Sequence, residues 1–149
     1  MLRGLRQLLV VLVVLLAGVA FVACGADGEA GTSATTAVAD AGALPIDEAV
    51  DRRGASSVSV DVADNVFEPR VVRIDPGATV TWTNTGYNSH NVTPVEEGSF
   101  EPVSTASLEP KASASRTFSS PGVYRYFCSI HGTATRGQRG VIVVGDAGL

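Results

Sequence analysis

One thiol and two imidazoles are the side chains of this sequence best suited to binding a metal ion. Cys128 and His131 stand three residues apart at the end of an apolar, aromatic segment, and His90, the only other histidine, lies well upstream. Two imidazoles and one thiolate form the trigonal ligand set of copper electron-transfer sites, which add a weak axial ligand. Methionine usually fills that axial place, yet the only methionine here is Met1. The residues therefore predict a copper site whose axial position is taken by another residue or by none.

Zinc is the alternative metal for the same three side chains, because it accepts thiolate and imidazole together with a fourth ligand. Structural zinc sites favour clustered cysteine pairs, whereas the two cysteines of this chain, Cys24 and Cys128, stand far apart. Copper is therefore the favoured metal. A disulfide between the two cysteines would join a flexible tail to a core strand for little gain, so each thiol is expected to have its own chemistry.

The segments around these residues have the pattern of β-strands. Val58, Val60 and Val62 alternate with polar residues, which is the period of a half-buried strand. The two runs that flank Ser120–Gly122 predict a hairpin. Further β-branched or aromatic runs are bounded by turn residues, and the full set beyond residue 62 occupies residues 71–74, 79–84, 113–118, 123–127 and 139–144. With no long amphipathic helix in the pattern, about seven short strands predict an all-β sandwich.

Residues 1–23 have the features of a secretory signal peptide. Arg3 and Arg6 precede an apolar run, residues 8–23, which is shorter than the roughly 20 residues that a membrane-spanning helix needs. The run leads into Phe21–Cys24, which resembles the bacterial lipoprotein lipobox, so Cys24 is expected to be lipidated and to become the mature N-terminus. The alternative is ordinary signal cleavage nearby, which would leave Cys24 as an incidental thiol.

Residues 24–54 have the composition of a flexible linker. They are rich in Ala, Gly, Thr, Ser and Asp, and their six acidic and two basic residues favour an extended chain. Residues 55–146 are expected to form the folded domain. The formal net charge of the whole chain is −4, which argues against nucleic-acid binding because such binding depends on basic surfaces.

Four segments of the predicted domain together resemble the cupredoxin family, specifically its plastocyanin-like bacterial members. They are residues 80–84, 89–92, 118–132 and 137–144. The resemblance covers residues 57–145 and rests mainly on the series His…Cys-x-x-His in its strand context. It implies a Greek-key β-sandwich with copper near one end, under the loops that join the strands.

The resemblance also implies a role for each site residue. His90, Cys128 and His131 are the equatorial copper ligands, and Asn91 matches the residue that ties the two ligand loops together in the family. Gln138 stands where relatives have the axial methionine of Gly-Met-x-Gly. Glutamine is the axial ligand in the plant stellacyanin branch, so Gln138 is expected to ligate copper. The alternative is that Gln138 faces solvent and that the site has three ligands.

The function implied is that of a blue-copper protein carrying single electrons between protein redox partners outside the cytoplasmic membrane. A monomer that a lipid anchor holds at the membrane is expected. No enzymatic activity is expected, because the ligand set leaves no open position for a substrate. The alternatives are a copper-binding or copper-delivery module without a redox circuit, and a sandwich that has lost its metal. Delivery modules favour exposed motifs rich in methionine and histidine, which this chain lacks.

Overall fold

Two β-sheets enclose a shared core in the computed structural model, which describes residues 43–149. Turns of 3-10 helix lie at Ile46–Glu48 and Thr105–Ser107. The strands are β1 (Val50–Asp51), β2 (Ser57–Ala63), β3 (Val66–Glu68), β4 (Val71–Ile74), β5 (Ala78–Asn84), β6 (Thr93–Pro94), β7 (Ser113–Phe118), β8 (Gly122–Gly132) and β9 (Gly137–Val144).

Both sheets are mixed. One has the strand order β1-β4-β9-β8-β6, in which β4 pairs in parallel with β1 and β9 while β8 pairs antiparallel with β9 and β6. The other has the order β3-β2-β5-β7, in which only β2 and β5 are parallel. This architecture confirms the predicted all-β sandwich.

Alternation of apolar and polar residues decides which strand face enters the core. In β2 the three valines are buried, and the residues between them are exposed, as the sequence pattern predicts. Trp82 of β5 is fully buried and packs edge to face on Tyr126 of β8, with ring centroids 5.5 Å apart. Phe67 also packs edge to face on Tyr126, with ring centroids 4.9 Å apart. These rings anchor β8 just before the segment that carries Cys128 and His131.

The prediction of a flexible linker over residues 24–54 is wrong for the last part of that range. Residues 46–51 contain a turn of 3-10 helix and β1, and Leu44, Ile46 and Ala49 pack on valines of β4 and β9. The physical reason lies in β9, where Val141–Val144 is apolar on both faces and therefore needs a cover on its outer side. Full burial of a valine is worth about 1.5–3 kcal/mol, which offsets the entropy of ordering a short segment.

The prediction that the two runs flanking Ser120–Gly122 pair as a hairpin is also wrong. β7 pairs with β5 in one sheet, whereas β8 pairs with β9 in the other, so the turn at Ser119–Pro121 crosses between sheets. The polar side chains of β7 find partners on β5, as in the 2.8 Å hydrogen bond between Thr81 Oγ1 and Ser115 Oγ. A Pro-Gly turn signals a reversal of the chain, but it does not distinguish strands that pair from strands that face each other.

Residues 1–42, with the predicted signal peptide and Cys24, lie outside the described residues. Within the part that is described, no helix has both the length and the apolar character that a membrane crossing requires.

Candidate metal centre

An interruption in a β-ladder brings the thiol and the second imidazole together. The pairing of β8 with β9 shifts register between Phe127 and Gly132, around Cys128 and His131. In a regular strand, residues three apart point to opposite faces. The irregularity releases the two side chains from that alternation, so that Cys128 Sγ and His131 Nδ1 lie 3.7 Å apart.

Gly137 closes the loop that follows His131. Its φ of 78° lies in the left-handed region that favours glycine, and a Cβ at this position would overlap the carbonyl oxygen of His131. Gly132 and Gly137 pair across the base of the loop, and the next residue, Gln138, contacts His90. The glycine is therefore needed for the return of the chain into β9.

His90 comes from the connection between β5 and β6. Its backbone N–H donates to Leu108 O at 3.2 Å. The buried Asn84, at the end of β5, donates from Nδ2 to Asn88 O at 2.8 Å and to Leu108 O at 2.9 Å. These bonds hold the connection on the core, and the His90 side chain is fully buried.

The three donor atoms form a triangle of the right size for one metal ion. Cys128 Sγ lies 3.7 Å from Nδ1 of each histidine, and the two Nδ1 atoms are 3.1 Å apart. A point equidistant from all three is about 2.0 Å from each atom, close to the roughly 2.0–2.3 Å that zinc–nitrogen and zinc–sulfur bonds span. Cys128 is a free cysteine and is fully buried, as is His90, and His131 is partly exposed. The donor set therefore fits a single ion held by one thiolate and two imidazoles.

Gln138 is fully buried, so the alternative in which it faces solvent is wrong. Its Nε2 donates to Ala63 O at 3.1 Å and to Val66 O at 3.0 Å. Because only the amide nitrogen can donate to two carbonyls, these bonds fix the orientation of the amide. Oε1 then faces the donor triangle, 2.9 Å from His90 Nδ1.

Asn91 links the two segments that carry the donor atoms. Its Oδ1 accepts the backbone N–H of Ser129 at 2.8 Å, and its Nδ2 donates to Ser129 Oγ at 2.8 Å. One side chain therefore joins the residue after His90 to the residue after Cys128, which holds His90 and Cys128 in a fixed relation.

Residues 55–145 match the family described as copper binding proteins of the plastocyanin/azurin family. The chain belongs to this family. Amicyanin-alpha of Methylorubrum extorquens is 41% identical over 97 residues, which cover 64% of this chain and 79% of the relative. The copper cofactor and the cupredoxin sandwich that the sequence predicts are thereby confirmed, with His90, Cys128 and His131 as the candidate metal site.

Solved structures give the same result for the fold of this cupredoxin. A reduced tryptophan-to-tyrosine variant of amicyanin superposes with a TM-score of 0.52 at 26% identity, covering 60% of this chain and 83% of the variant. A copper-containing nitrite reductase from Thermus scotoductus superposes with a TM-score of 0.51 at 29% identity, covering 60% of this chain and 22% of the reductase. The likeness to the reductase is therefore confined to about a fifth of that enzyme.

Sequence reasoning missed one residue of this cupredoxin centre, Asp64, in the turn between β2 and β3. Its Oδ1 lies 3.5 Å from His90 Nε2, on the side of the ring away from the donor triangle. The backbone N–H of Asn88, with smaller contributions from Tyr87 and His90, holds the pKa of the Asp64 carboxyl below its ordinary value against the opposing effect of partial burial. The only sequence signal was Asp64-Asn65, which is typical of any tight turn.

Proposed function

We propose that this cupredoxin carries single electrons between redox partner proteins, with one copper ion held by His90, Cys128 and His131. The observation that carries the proposal is the common distance of about 2.0 Å from the three donor atoms to one point. When bound, copper supplies a one-electron couple between Cu(I) and Cu(II). The thiolate of Cys128 suits Cu(I) and the imidazoles suit Cu(II), so the mixed set is acceptable to both states.

The scaffold keeps these side chains in place in either state. His90, Cys128 and Gln138 are fully buried and come from three different parts of the chain, so each is fixed by its own packing. A site that does not rearrange between oxidation states exchanges an electron with little reorganisation. Gln138 is proposed as the axial ligand, because its oriented Oε1 faces the donor triangle.

His131 is the proposed point of electron exchange with a partner. It is partly exposed, unlike His90 and Cys128, and the side chain of Ile130 beside it is half exposed. An apolar surface residue next to the ligand suits a short-lived contact with another protein, because it adds area without a charge that must be desolvated. We propose no enzymatic activity, since His90, Cys128 and Gln138 are fully buried and His131 is only partly exposed, which leaves a substrate little access to this centre.

Copper addition to the purified wild-type protein tests the proposed function. We expect one equivalent of Cu(II) to produce intense visible absorption from thiolate-to-copper charge transfer, and voltammetry to show a reversible one-electron wave. Zinc serves as the control, because it accepts the same ligands without colour or redox change. Copper that is passed to an acceptor protein without a reversible wave would instead favour a delivery module.

We further propose that the protein works outside the cytoplasmic membrane and that a lipid on Cys24 anchors it there. The support is the signal-like run of residues 8–23 and the lipobox-like Phe21–Cys24. We expect Cys24→Ala to move the protein from the membrane fraction to the soluble fraction of cells that process lipoproteins. Cys128→Ser, which removes the other cysteine, is the matched control and should stay with the membrane. Equal membrane association of Cys24→Ala and wild type would contradict the anchor.

A further inference from the structure

The ring nitrogen of His90 that points away from the donor triangle, Nε2, lies near the carboxylate of Asp64. The ring turns Nδ1 toward Cys128 Sγ and His131 Nδ1, and a nitrogen that binds a metal cannot also carry a proton. A neutral imidazole has one N–H, which must then be on Nε2. Nε2 is buried and has no closely placed acceptor within residues 43–149, and the Asp64 carboxylate is 3.5 Å away. A buried N–H needs an acceptor, which makes this carboxylate its partner.

The turn that follows β5 is built around the same carboxylate. The backbone N–H groups of Tyr87 and Asn88 donate to Asp64 Oδ1 at 3.1 and 3.2 Å. A Cβ at Gly86 would overlap Oδ1 and would lie 3.0 Å from the Asp64 backbone nitrogen, so only glycine allows this close approach. Three successive residues therefore wrap this carboxylate, two by donating backbone N–H groups and one by its lack of a side chain.

The turn between β2 and β3 also holds the proposed axial residue. Ala63 O and Val66 O, on either side of Asp64, accept the two N–H groups of Gln138. This short turn thus contacts two residues of the centre. The Asp64 carboxylate lies near His90, and the backbone carbonyls on either side of Asp64 accept from Gln138. A variant that removes the charge must leave the turn intact if its effect is to be interpretable.

We propose that Asp64 is a positioning residue that holds His90 through Nε2–H and, by its negative charge, favours the oxidised state of the bound copper. The proposal rests on the proposed function of the centre. A carboxylate that accepts from the outer nitrogen of a metal-bound histidine fixes the ring and raises the basicity of the ligand. A more basic imidazole and a nearby anion both stabilise Cu(II) more than Cu(I), so Asp64 lowers the reduction potential.

Asp64→Asn is the decisive variant, because asparagine keeps an acceptor oxygen for Tyr87 and Asn88 but removes the charge. We expect copper binding and visible absorption to persist and the reduction potential to rise. Loss of such a partner typically weakens metal affinity by about 10- to 100-fold. A tenfold loss confined to Cu(II) corresponds to a rise of about 59 mV for a one-electron couple. A potential equal to that of wild type would show that Asp64 only accepts backbone bonds, and would overturn the proposal.

Asp61→Asn is the matched control, since Asp61 is an exposed carboxylate on β2 and its loss changes the net charge equally. Its potential should stay at the wild-type value. An equal rise in both variants would indicate a general charge effect and would also overturn the proposal.

A readout on the zinc-loaded protein separates this proposal from the proposed function. With Zn(II) in place of copper, NMR should detect the Nε2 proton of His90 as a slowly exchanging signal in wild type, and fast exchange in Asp64→Ala. Equally slow exchange in the two proteins would exclude the contact. Absent colour and redox activity in copper-loaded wild type would reject electron transfer, while the zinc spectra would still decide on Asp64 and His90.

Discussion

Cys128→Ser is expected to abolish the visible absorption of the copper-loaded protein completely. The absorption requires a thiolate bound to Cu(II), and a serine hydroxyl stays protonated where a metal-bound thiol does not. The variant should also bind Cu(I) at least about 100-fold more weakly, because the one soft donor of the triangle is lost. Absorption spectra after copper titration, together with competition against a Cu(I) chelator, measure both effects.

Two controls make this result specific. Serine is close to cysteine in size, so the metal-free variant should keep the wild-type circular dichroism spectrum and melt cooperatively. Cys24→Ala removes the other cysteine and should keep full colour, which assigns the absorption to Cys128. Colour that persists in Cys128→Ser would reject the thiolate site altogether.

The donor set was predictable from the sequence because it depends on scarce residue types. With two histidines and with one cysteine in the predicted domain, Cys128, His131 and His90 were the only thiol and imidazoles available there. Their order along strand-like segments then selected a copper family. What the sequence does not contain is the register shift near Phe127, which turns residues three apart toward a common centre. Local propensity describes strands, and this irregularity depends on pairing with β9.

Asp64 and β1 are two features of the structure that were not predicted from the sequence. An Asp-Asn turn is common, so nothing in residues 64–65 predicts that the carboxylate lies under His90 from a distant segment. The sequence contains a clearer signal for the segment that covers the outer face of β9. Four consecutive apolar residues, Val141–Val144, indicate a strand that is buried on both faces, and a second layer was therefore required. Ile46 and Val50 are the large apolar residues of the predicted linker nearest to the domain. Ile46 supplies part of that layer, and Val50 lies in the edge strand β1.

The second large effect is expected from Gln138→Met, which should raise the reduction potential. An amide oxygen is a harder donor than a thioether and favours Cu(II) relative to Cu(I), so the exchange destabilises the oxidised state. A change of relative affinity above tenfold corresponds to more than about 59 mV. The variant also leaves Ala63 O and Val66 O without their donor, so its stability should fall by roughly 1–3 kcal/mol. Protein-film voltammetry and thermal melts measure the two effects separately.

Gln138→Leu separates ligation from the loss of hydrogen bonds. Leucine loses the same two bonds to the turn between β2 and β3 and offers no donor atom to copper. If the residue at position 138 ligates the ion, axial donation weakens from amide to thioether to alkyl, and the potentials should rise in the order wild type, methionine variant, leucine variant. If it does not ligate, methionine and leucine are equivalent, and the two variants should share one potential and one Cu(II) electron paramagnetic resonance spectrum. Equal potentials and equal spectra in the two variants would therefore show that Gln138 does not ligate copper and only stabilises, by hydrogen bonds, the turn that contains Asp64.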